Sequence, residues 1–375
     1  MSLSKSRFIE MFGNVATNNK RWEKTKLGNK SVIGSSKRIF ANEYTTEGIP
    51  FYRSKEIIEL GMGEKPSVEL YISKKRYQEI KEKFGIPIPG DILMTAVGTI
   101  GKFWIVPNSK PFYYKDGNLV YIRTKEFNPL FLKKLLEMLI EKYKVENANG
   151  SAYTALTIEK LKDLQIVLPP MTLQKQYEEF HIQINKSKFL LQKILEKLEL
   201  LKKSRFIEMF GDVINNKKTW PTKRWSDVLN IVNGKNQKKV ECENGIYPIC
   251  GSGGEIGKTN EYLTKENSVI IGRKGNINNP ILMKTKFWNV DTAFGLEPNN
   301  KDINVEYLYK FCKLFDFQRL NKTVTIPSLT KSDLLKIEIP VPPMKLQEEY
   351  RNFLAQVDKS KLVIQKSLED LVGKS

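Results

Sequence analysis

Two kinds of segment alternate in the hydrophobic pattern of this chain. Leu173, Tyr177, Phe180, Ile184, Ser187, Leu191, Ile194, Leu198 and Leu201 succeed one another in alternating steps of four and three. That spacing keeps one stripe of a helix apolar and predicts a coiled-coil seam. Leu346, Tyr350, Phe353, Val357, Ser360, Ile364, Ser367 and Leu371 repeat the pattern. A proline pair precedes each stretch as a rigid start signal, and Gly211 and Gly13 stand where C-terminal caps belong. Ser187 and Ser360 are expected to let the two helices approach closely, antiparallel about a pseudo-two-fold axis.

The other segments carry short apolar runs followed by a helix. Residues 91–94, 103–106 and 119–123 read as strands, and 129–144 as a helix. Later, 268–271, 281–283 and 294–297 read as strands, and 305–315 as a helix. Order and spacing agree although the side chains mostly differ, and Gly98 and Gly275 occupy matching turns after the first of these strands. Each segment returns through a short apolar piece, 156–168 or 329–341, into its proline pair. Two α+β domains of one fold with divergent surfaces are therefore expected.

An internal repeat ties the pattern together. Lys5-Ser-Arg-Phe-Ile-Glu-Met-Phe-Gly13 recurs unchanged as Lys203-Ser-Arg-Phe-Ile-Glu-Met-Phe-Gly211, an offset of 198. Leu168-Pro-Pro-Met-Thr-Leu-Gln174 recurs as Val341-Pro-Pro-Met-Lys-Leu-Gln347, an offset of 173. The second variable segment is thus shorter by about 25 residues. The unit is a variable segment, a Pro-Pro helix and the nine-residue tail. Because the chain opens on that tail and closes on the body of the same helix, the repeats form a two-fold ring cut inside one helix. Expected boundaries are 1–13 for the tail of a helical repeat, 14–168 for the first domain, 169–211 for the central helical region, 212–341 for the second domain and 342–375 for the C-terminal helical region. The termini are expected close together. The fold class is α+β: two similar domains separated by two long helices packed as an antiparallel coiled coil, in cyclic repeat order.

Charge narrows the function. Lys and Arg number 62 against 42 Asp and Glu, a formal net charge of +20, which points to a polyanionic partner. No apolar run approaches the roughly 18 residues of a membrane span, and the N-terminus lacks the apolar core of a signal peptide. Cys242, Cys250 and Cys312 form no CxxC pair, so a reducing cytoplasmic setting is expected. The single histidine, His181, removes most histidine-based metal sites and triads; its counterpart in the repeat is Leu354, which favours packing. Basic, polar and Gly-rich loops recur in both domains: 35–38, 52–55 and 74–76 in one, 234–239, 251–254 and 272–276 in the other. Asn, Gln, Arg and Ser pair with base edges, whereas Lys neutralises phosphate.

Catalytic motifs fail their tests. Gly251-Ser-Gly-Gly-Glu-Ile-Gly-Lys-Thr259 approaches a P-loop, but five residues rather than four separate Gly251 from Gly257, and no apolar helix follows. No adenine-methyltransferase motif occurs, and nothing pairs Asp116 or Asp291 into a nuclease centre. Neither a catalytic residue nor a metal site is assigned, and the chain is expected not to be an enzyme. A DNA-acting enzyme such as a nuclease with an unrecognised active site, or a non-DNA coiled-coil scaffold, remains the alternative.

Two diverged domains alternating with two near-identical helical regions, each opened by Pro-Pro and glutamine, resemble the specificity (S) subunit of type I restriction-modification systems. The resemblance covers essentially the whole chain. Leu173 and Leu346 stand where the family usually has glutamate, while Gln174 and Gln347 are kept. Residues 49–55, 247–254 and 272–277 look like segments common in the family's target-recognition domains. The resemblance implies that each domain reads half of a split double-stranded DNA sequence. It further implies helices that act as a ruler and dock two modification (methyltransferase) subunits, with restriction (translocase-nuclease) subunits joining. S-adenosylmethionine, Mg and ATP are expected on those partner subunits and no cofactor on this chain. A helix of about 28 residues spans about 42 Å, enough to hold two readers one DNA turn, about 34–36 Å, apart. Residues expected to approach DNA are Arg53, Lys55, Thr99, Ser151 and Tyr153 in the first domain, and Lys235, Gln237, Ser252, Arg273, Asn276, Lys322 and Thr323 in the second. Gln174, Tyr177, Phe180, Ile184, Leu191, Gln347, Tyr350, Phe353, Val357 and Ile364 are expected on the helix seam or at subunit docking.

Overall fold

The computed structural model describes residues 3–107, 110–146, 155–323 and 326–372. It divides into two compact units, residues 1–190 with 367–375 and residues 191–366, so the division falls inside a helix.

In the first unit, helix α1 (Leu3–Phe12) ends at Gly13, whose φ of +78° is the left-handed value that a glycine tolerates without strain. A four-stranded antiparallel sheet follows, ordered Val32–Gly34, Leu119–Arg123, Ile92–Thr95, Phe103–Ile105. Ile92–Thr95 is buried at every position, as a central strand covered on both faces must be. A second small sheet pairs Ile49–Tyr52 in parallel with Tyr113–Tyr114. Between Ile49–Tyr52 and Ile92–Thr95 in sequence lie α2 (Ser54–Gly61) and α3 (Lys74–Phe84). Helix α4 (Pro129–Glu146) buries Phe131, Leu132, Leu135, Leu136 and Ile140 in the main core. Lys24–Lys26 pairs with Gln165–Val167 and returns the chain to the proline pair. From there α5 (Met171–Phe210) begins, 40 residues long.

The second unit repeats this plan. Its sheet runs Leu229–Asn233, Ala293–Pro298, Ser268–Gly272, Ile281–Met283, the same order as in the first unit and again antiparallel. Tyr247–Gly251 pairs in parallel with Trp288–Asn289, as Ile49–Tyr52 does with Tyr113–Tyr114. Where the first unit inserts α2 and α3, the second has only a hairpin, Tyr247–Gly251 with Gly254–Thr259. That exchange accounts for most of the length difference between the two segments. Helix α6 (Val305–Leu314) and the pair Thr222–Arg224 with Glu338–Pro340 lead into α7 (Met344–Val372).

One aromatic seat recurs in both units. Fully buried Tyr177 meets Phe8 and Phe12 edge-on at 5.2 and 5.7 Å, and both phenylalanines also touch Phe131 of α4. Tyr350 meets Phe206 and Phe210 at 5.4 and 5.5 Å, and Tyr307 of α6 completes the group. The invariant nonapeptide therefore lies antiparallel on the start of a Pro-Pro helix in each unit: α1 on the first part of α5, and the last part of α5 on α7. In the second unit Lys202 pairs with Asp358, and Lys361 with Glu199 at 2.8 Å, which fixes the antiparallel sense.

Gln174 and Gln347 are enclosed rather than presented to a partner. Gln174 donates to the Pro169 carbonyl and accepts the Asn128 N–H, both at 2.9 Å. Gln347 donates to the carbonyls of Pro342 and Asp302 and accepts the Asn304 N–H, all at 2.9 Å. Each of these asparagines in turn caps its domain helix, Asn128 accepting from Phe131 N–H and Asn304 from Tyr307 N–H. The seam differs in phase from the sequence expectation. Tyr177, Ile184, Tyr350 and Val357 are buried, and Phe180, Leu191, Phe353 and Ile364 are half-buried. Ser187 and Ser360, however, are exposed, as are Ile194 and Leu201, while Lys188, Leu195 and Lys202 turn inward. A straight helix of 3.6 residues per turn drifts against a strict 3.5-residue repeat, so at these positions the inward residue is one further along, while Leu198, Ser367 and Leu371 stay half-buried in the expected phase. Ser360 Oγ bonds its own helix at the Gln356 carbonyl instead of opening a close approach.

Substituting Gln347 with alanine strands a buried N–H and two carbonyls. It should cost about 1–3 kcal/mol in urea unfolding of the full chain, whereas Gln356→Ala on the exposed face should stay within about 0.5 kcal/mol. Equal, negligible effects would show that the glutamine is not a clamp.

Candidate nucleic-acid interface

In the second unit the loops at one end of the main sheet are stitched into a single rim. The first loop leaves Asn233 through Gly234, where an added Cβ would fall 1.8 Å from the Val290 carbonyl oxygen, so no larger residue fits. Lys235 N–H then bonds the Asn289 carbonyl, and the Trp288 indole donates to the Lys235 carbonyl, both at 3.0 Å, which pins the backbone and leaves the exposed ammonium outward. Arg273 N–H reaches the Thr292 carbonyl at 2.8 Å, its guanidinium donates to the Asp291 carbonyl at 3.3 Å, and Phe294 lies beneath it. Gly275 N–H bonds the Pro327 carbonyl, Leu329 N–H bonds that of Arg273, and Ser328 N–H bonds Asn321 Oδ1. Lys235, Arg273, Asn276, Lys322 and Thr323 thereby share one rim. Ser252 joins its flank, its carbonyl accepting from Asn279, and half-buried Gln237 lies further along the first loop. Lys235, Arg273 and Lys274 have no carboxylate partner among the described residues, whereas Lys322 pairs with Asp333 at 2.8 Å.

The first unit builds the corresponding end from different chemistry. Ser35 Oγ donates to the Leu119 carbonyl and accepts Gly117 N–H, and Lys37 N–H bonds the Tyr113 hydroxyl at 2.7 Å. The Lys37 ammonium sits 5.0 Å from the Phe84 ring centroid, and Arg38 pairs with Asp116 at 2.8 Å. Exposed Thr99 stands on the turn after Ile92–Thr95, whose Ala96 bonds Asn118 and Leu156. Lys115 N–H bonds the Tyr52 carbonyl, which sets Arg53 beside this group. Arg53 and Lys55 are held by carboxylates: Arg53 by Glu56 and Glu69, each at 2.8 Å, and Lys55 by Glu69 at 3.3 Å. Ser151 and Tyr153 lie outside the described residues.

Residues 19–200 and 217–372 match the type I restriction modification DNA specificity domain. The chain belongs to that family. Over 150 residues it is 34% identical to a putative type I restriction enzyme specificity subunit from Haemophilus influenzae, covering 40% of this chain and 36% of that protein. It is 26% identical over 187 residues to the MjaVIII specificity subunit from Methanocaldococcus jannaschii, covering 46% of this chain and 44% of that one. The matches thus span less than half the length of these relatives. In fold it is similar to the HsdS subunit from Thermoanaerobacter tengcongensis (TM-score 0.54, 17% identity, 92% of this chain and 91% of that one). A structure from work on complex assembly and conformational transition of the type I R-M system gives a TM-score of 0.62 at 18% identity, over 93% of this chain and 94% of that one.

Within these specificity domains, the stretch that approaches a P-loop is a β-hairpin whose tip lies between Gly251 and Gly254. His181 Nδ1 shares a hydrogen bond with Ser4 Oγ at 3.0 Å beside Tyr177, and burial with Lys133 and Lys188 nearby holds its pKa below the usual value. It is a packing residue of the seat. Among the described residues no group of acidic, Cys or His side chains could hold a metal ion, and no helix is long and apolar enough to cross a membrane. Cys250 and Cys312 are buried and unpaired, burial pushing the Cys250 thiol up to about 11. Lys37, Arg38 and Lys274, beyond the site residues expected from sequence alone, stand on the loops following Val32–Gly34 and Ser268–Gly272.

Gly234→Ala should lower stability by more than about 2 kcal/mol, because its Cβ meets backbone that cannot yield. Urea unfolding followed by tryptophan fluorescence checks it; an unchanged midpoint would mean that the rim loop is free to move.

Proposed function

We propose that this chain is the DNA sequence-specificity subunit of a type I restriction-modification complex and reads a bipartite target, one half with each unit. The observation that carries the reading is the duplicated sheet order under two unlike rims: one scaffold, two surfaces, each made of loops in which lysine and arginine stand beside hydrogen-bonding side chains. Lys235, Lys274 and Lys37 are suited to phosphates; Arg273, Asn276 and Thr99 are suited to base edges. Ser252, Gln237, Lys322 and Thr323 flank the second reader, and Arg53 and Lys55 the first.

The long helices act in this reading as the spacer between half-sites and as the docking surface for two modification subunits, which restriction subunits then join. Methyl transfer, S-adenosylmethionine, Mg and ATP belong to those partners, and this chain contributes recognition without turnover. Family membership and the absence of a spanning helix among the described residues both suit a subunit that works in the cytoplasm.

Two measurements test the reading. Lys235→Ala should weaken binding to all duplexes alike and lower the salt exponent by about 0.9, the value of one phosphate contact. Arg273→Ala should instead cost about 1–3 kcal/mol and relax one position of one half-site. Lengthening both helices by one turn, roughly four residues, should lengthen the unspecified spacer in the adenine-methylation pattern of the assembled complex and leave both half-sites intact. Altered half-sites with an unchanged spacer would overturn the ruler. Cleavage or methylation by the purified chain alone would favour an enzyme instead.

A further inference from the structure

Arg53 and Lys55 share one anion. Glu69 Oε2 accepts from the Arg53 guanidinium at 2.8 Å while its Oε1 lies 3.3 Å from Lys55 Nζ, so one carboxylate spans two cations. The two sides of this network differ in exposure. Glu56 has only 1% of its side chain exposed; it grips the guanidinium at 2.8 Å and also takes the Arg53 backbone N–H at 2.7 Å, which locks the arginine in place. Glu69 and Lys55 are 58% and 55% exposed, the setting in which an ion pair is weak and readily exchanged. Ser54, between them in sequence, has a buried Oγ with no hydrogen-bond partner. Arg53 and Lys55 together lower the Glu69 pKa, so the carboxylate stays charged through neutral pH.

We propose that Glu69 occupies the place of a DNA backbone phosphate, and that a phosphodiester displaces it to bridge Arg53 and Lys55 while Glu56 keeps Arg53 aimed. A phosphodiester carries the same single charge on two oxygens, so it can accept from the arginine on one and from the lysine on the other. In the free chain Glu69 screens the two cations, which lowers the attraction for arbitrary DNA; the exchange is completed only when the duplex is seated. Among the described residues the second unit has no such guard over Lys235, Arg273 and Lys274, so the two readers are unequal in their hold on the backbone. This inference rests on the DNA-reading function proposed above.

The test is duplex binding by the full-length chain across a salt series. Glu69→Gln should tighten binding about threefold or more at roughly 50 mM salt and steepen the salt exponent by about one. Glu64→Gln, on an exposed acid with the same charge change and no ion pair, should give a smaller gain. The double variant E69Q/K55Q should lose the gain, whereas E69Q/K65Q, of the same net charge but with an exposed lysine removed outside the network, should keep it, which ties the gain to the pair rather than to net charge. Inorganic phosphate should compete no better than chloride at equal ionic strength. A Glu69→Gln chain that binds no tighter than the Glu64→Gln chain, or preferential competition by free phosphate, overturns the proposal while leaving DNA reading intact. Absence of duplex binding by the unsubstituted chain removes both. Unfolding midpoints for each variant keep a folding defect from passing as a binding effect.

Discussion

Everything else in each unit is hung from one buried tyrosine. Tyr177 and Tyr350 are buried against two phenylalanines of the invariant nonapeptide, which in turn touch one aromatic of the domain helix. Edge-on packing uses the positive rim of one ring against the negative face of the next, and such contacts add to the large area already buried. Three elements far apart in sequence meet at this point: the nonapeptide, the start of the Pro-Pro helix and the domain helix. Removing the ring would leave a cavity that they cannot all close at once.

The glutamine one turn earlier makes that seat directional. Its amide bonds the carbonyl of the first proline of the pair and takes a backbone N–H from the asparagine that caps the domain helix. Packing alone tolerates rotation of one helix over another; paired hydrogen bonds at 2.9 Å do not. The tail of the nonapeptide is equally fixed. Trp22 and Trp220 donate their indole N–H to the carbonyls of Phe12 and Phe210, and Lys20 and Lys218 donate to those of Glu10 and Glu208, which satisfies groups that a helix end leaves without partners.

Much of this was legible in the sequence, and the failures have physical causes. The central strands and domain helices were found within a residue or two, because buried strands are continuous apolar runs and the helices are long. The small second sheets are not legible there, since strands of two to six residues carry no usable period. The repeat extends past Gly13 through Asn18, Lys20 and Trp22, each matched at the same offset, but isolated identities do not stand out as nine in a row do. The seam departs by one position at Ser187, Ile194, Leu201 and Ser360 because a 3.6-residue helix drifts against a 3.5-residue repeat. Arg53 and Lys55 were visible as a basic loop; Glu69, fourteen residues further on, was not, because only the fold carries it back to them.

The seat asks little of the domain it holds. Asn128 with Phe131, and Asn304 with Tyr307, are an asparagine and an aromatic three residues later, and they provide both the cap and the ring that the helices grip. A foreign domain bringing that pair and the same sheet order would dock without any change to its host. Where two chains share the nonapeptide, crossing over within it would exchange complete domains in frame, so a new loop surface could arise in one genetic step while the scaffold stayed as it was.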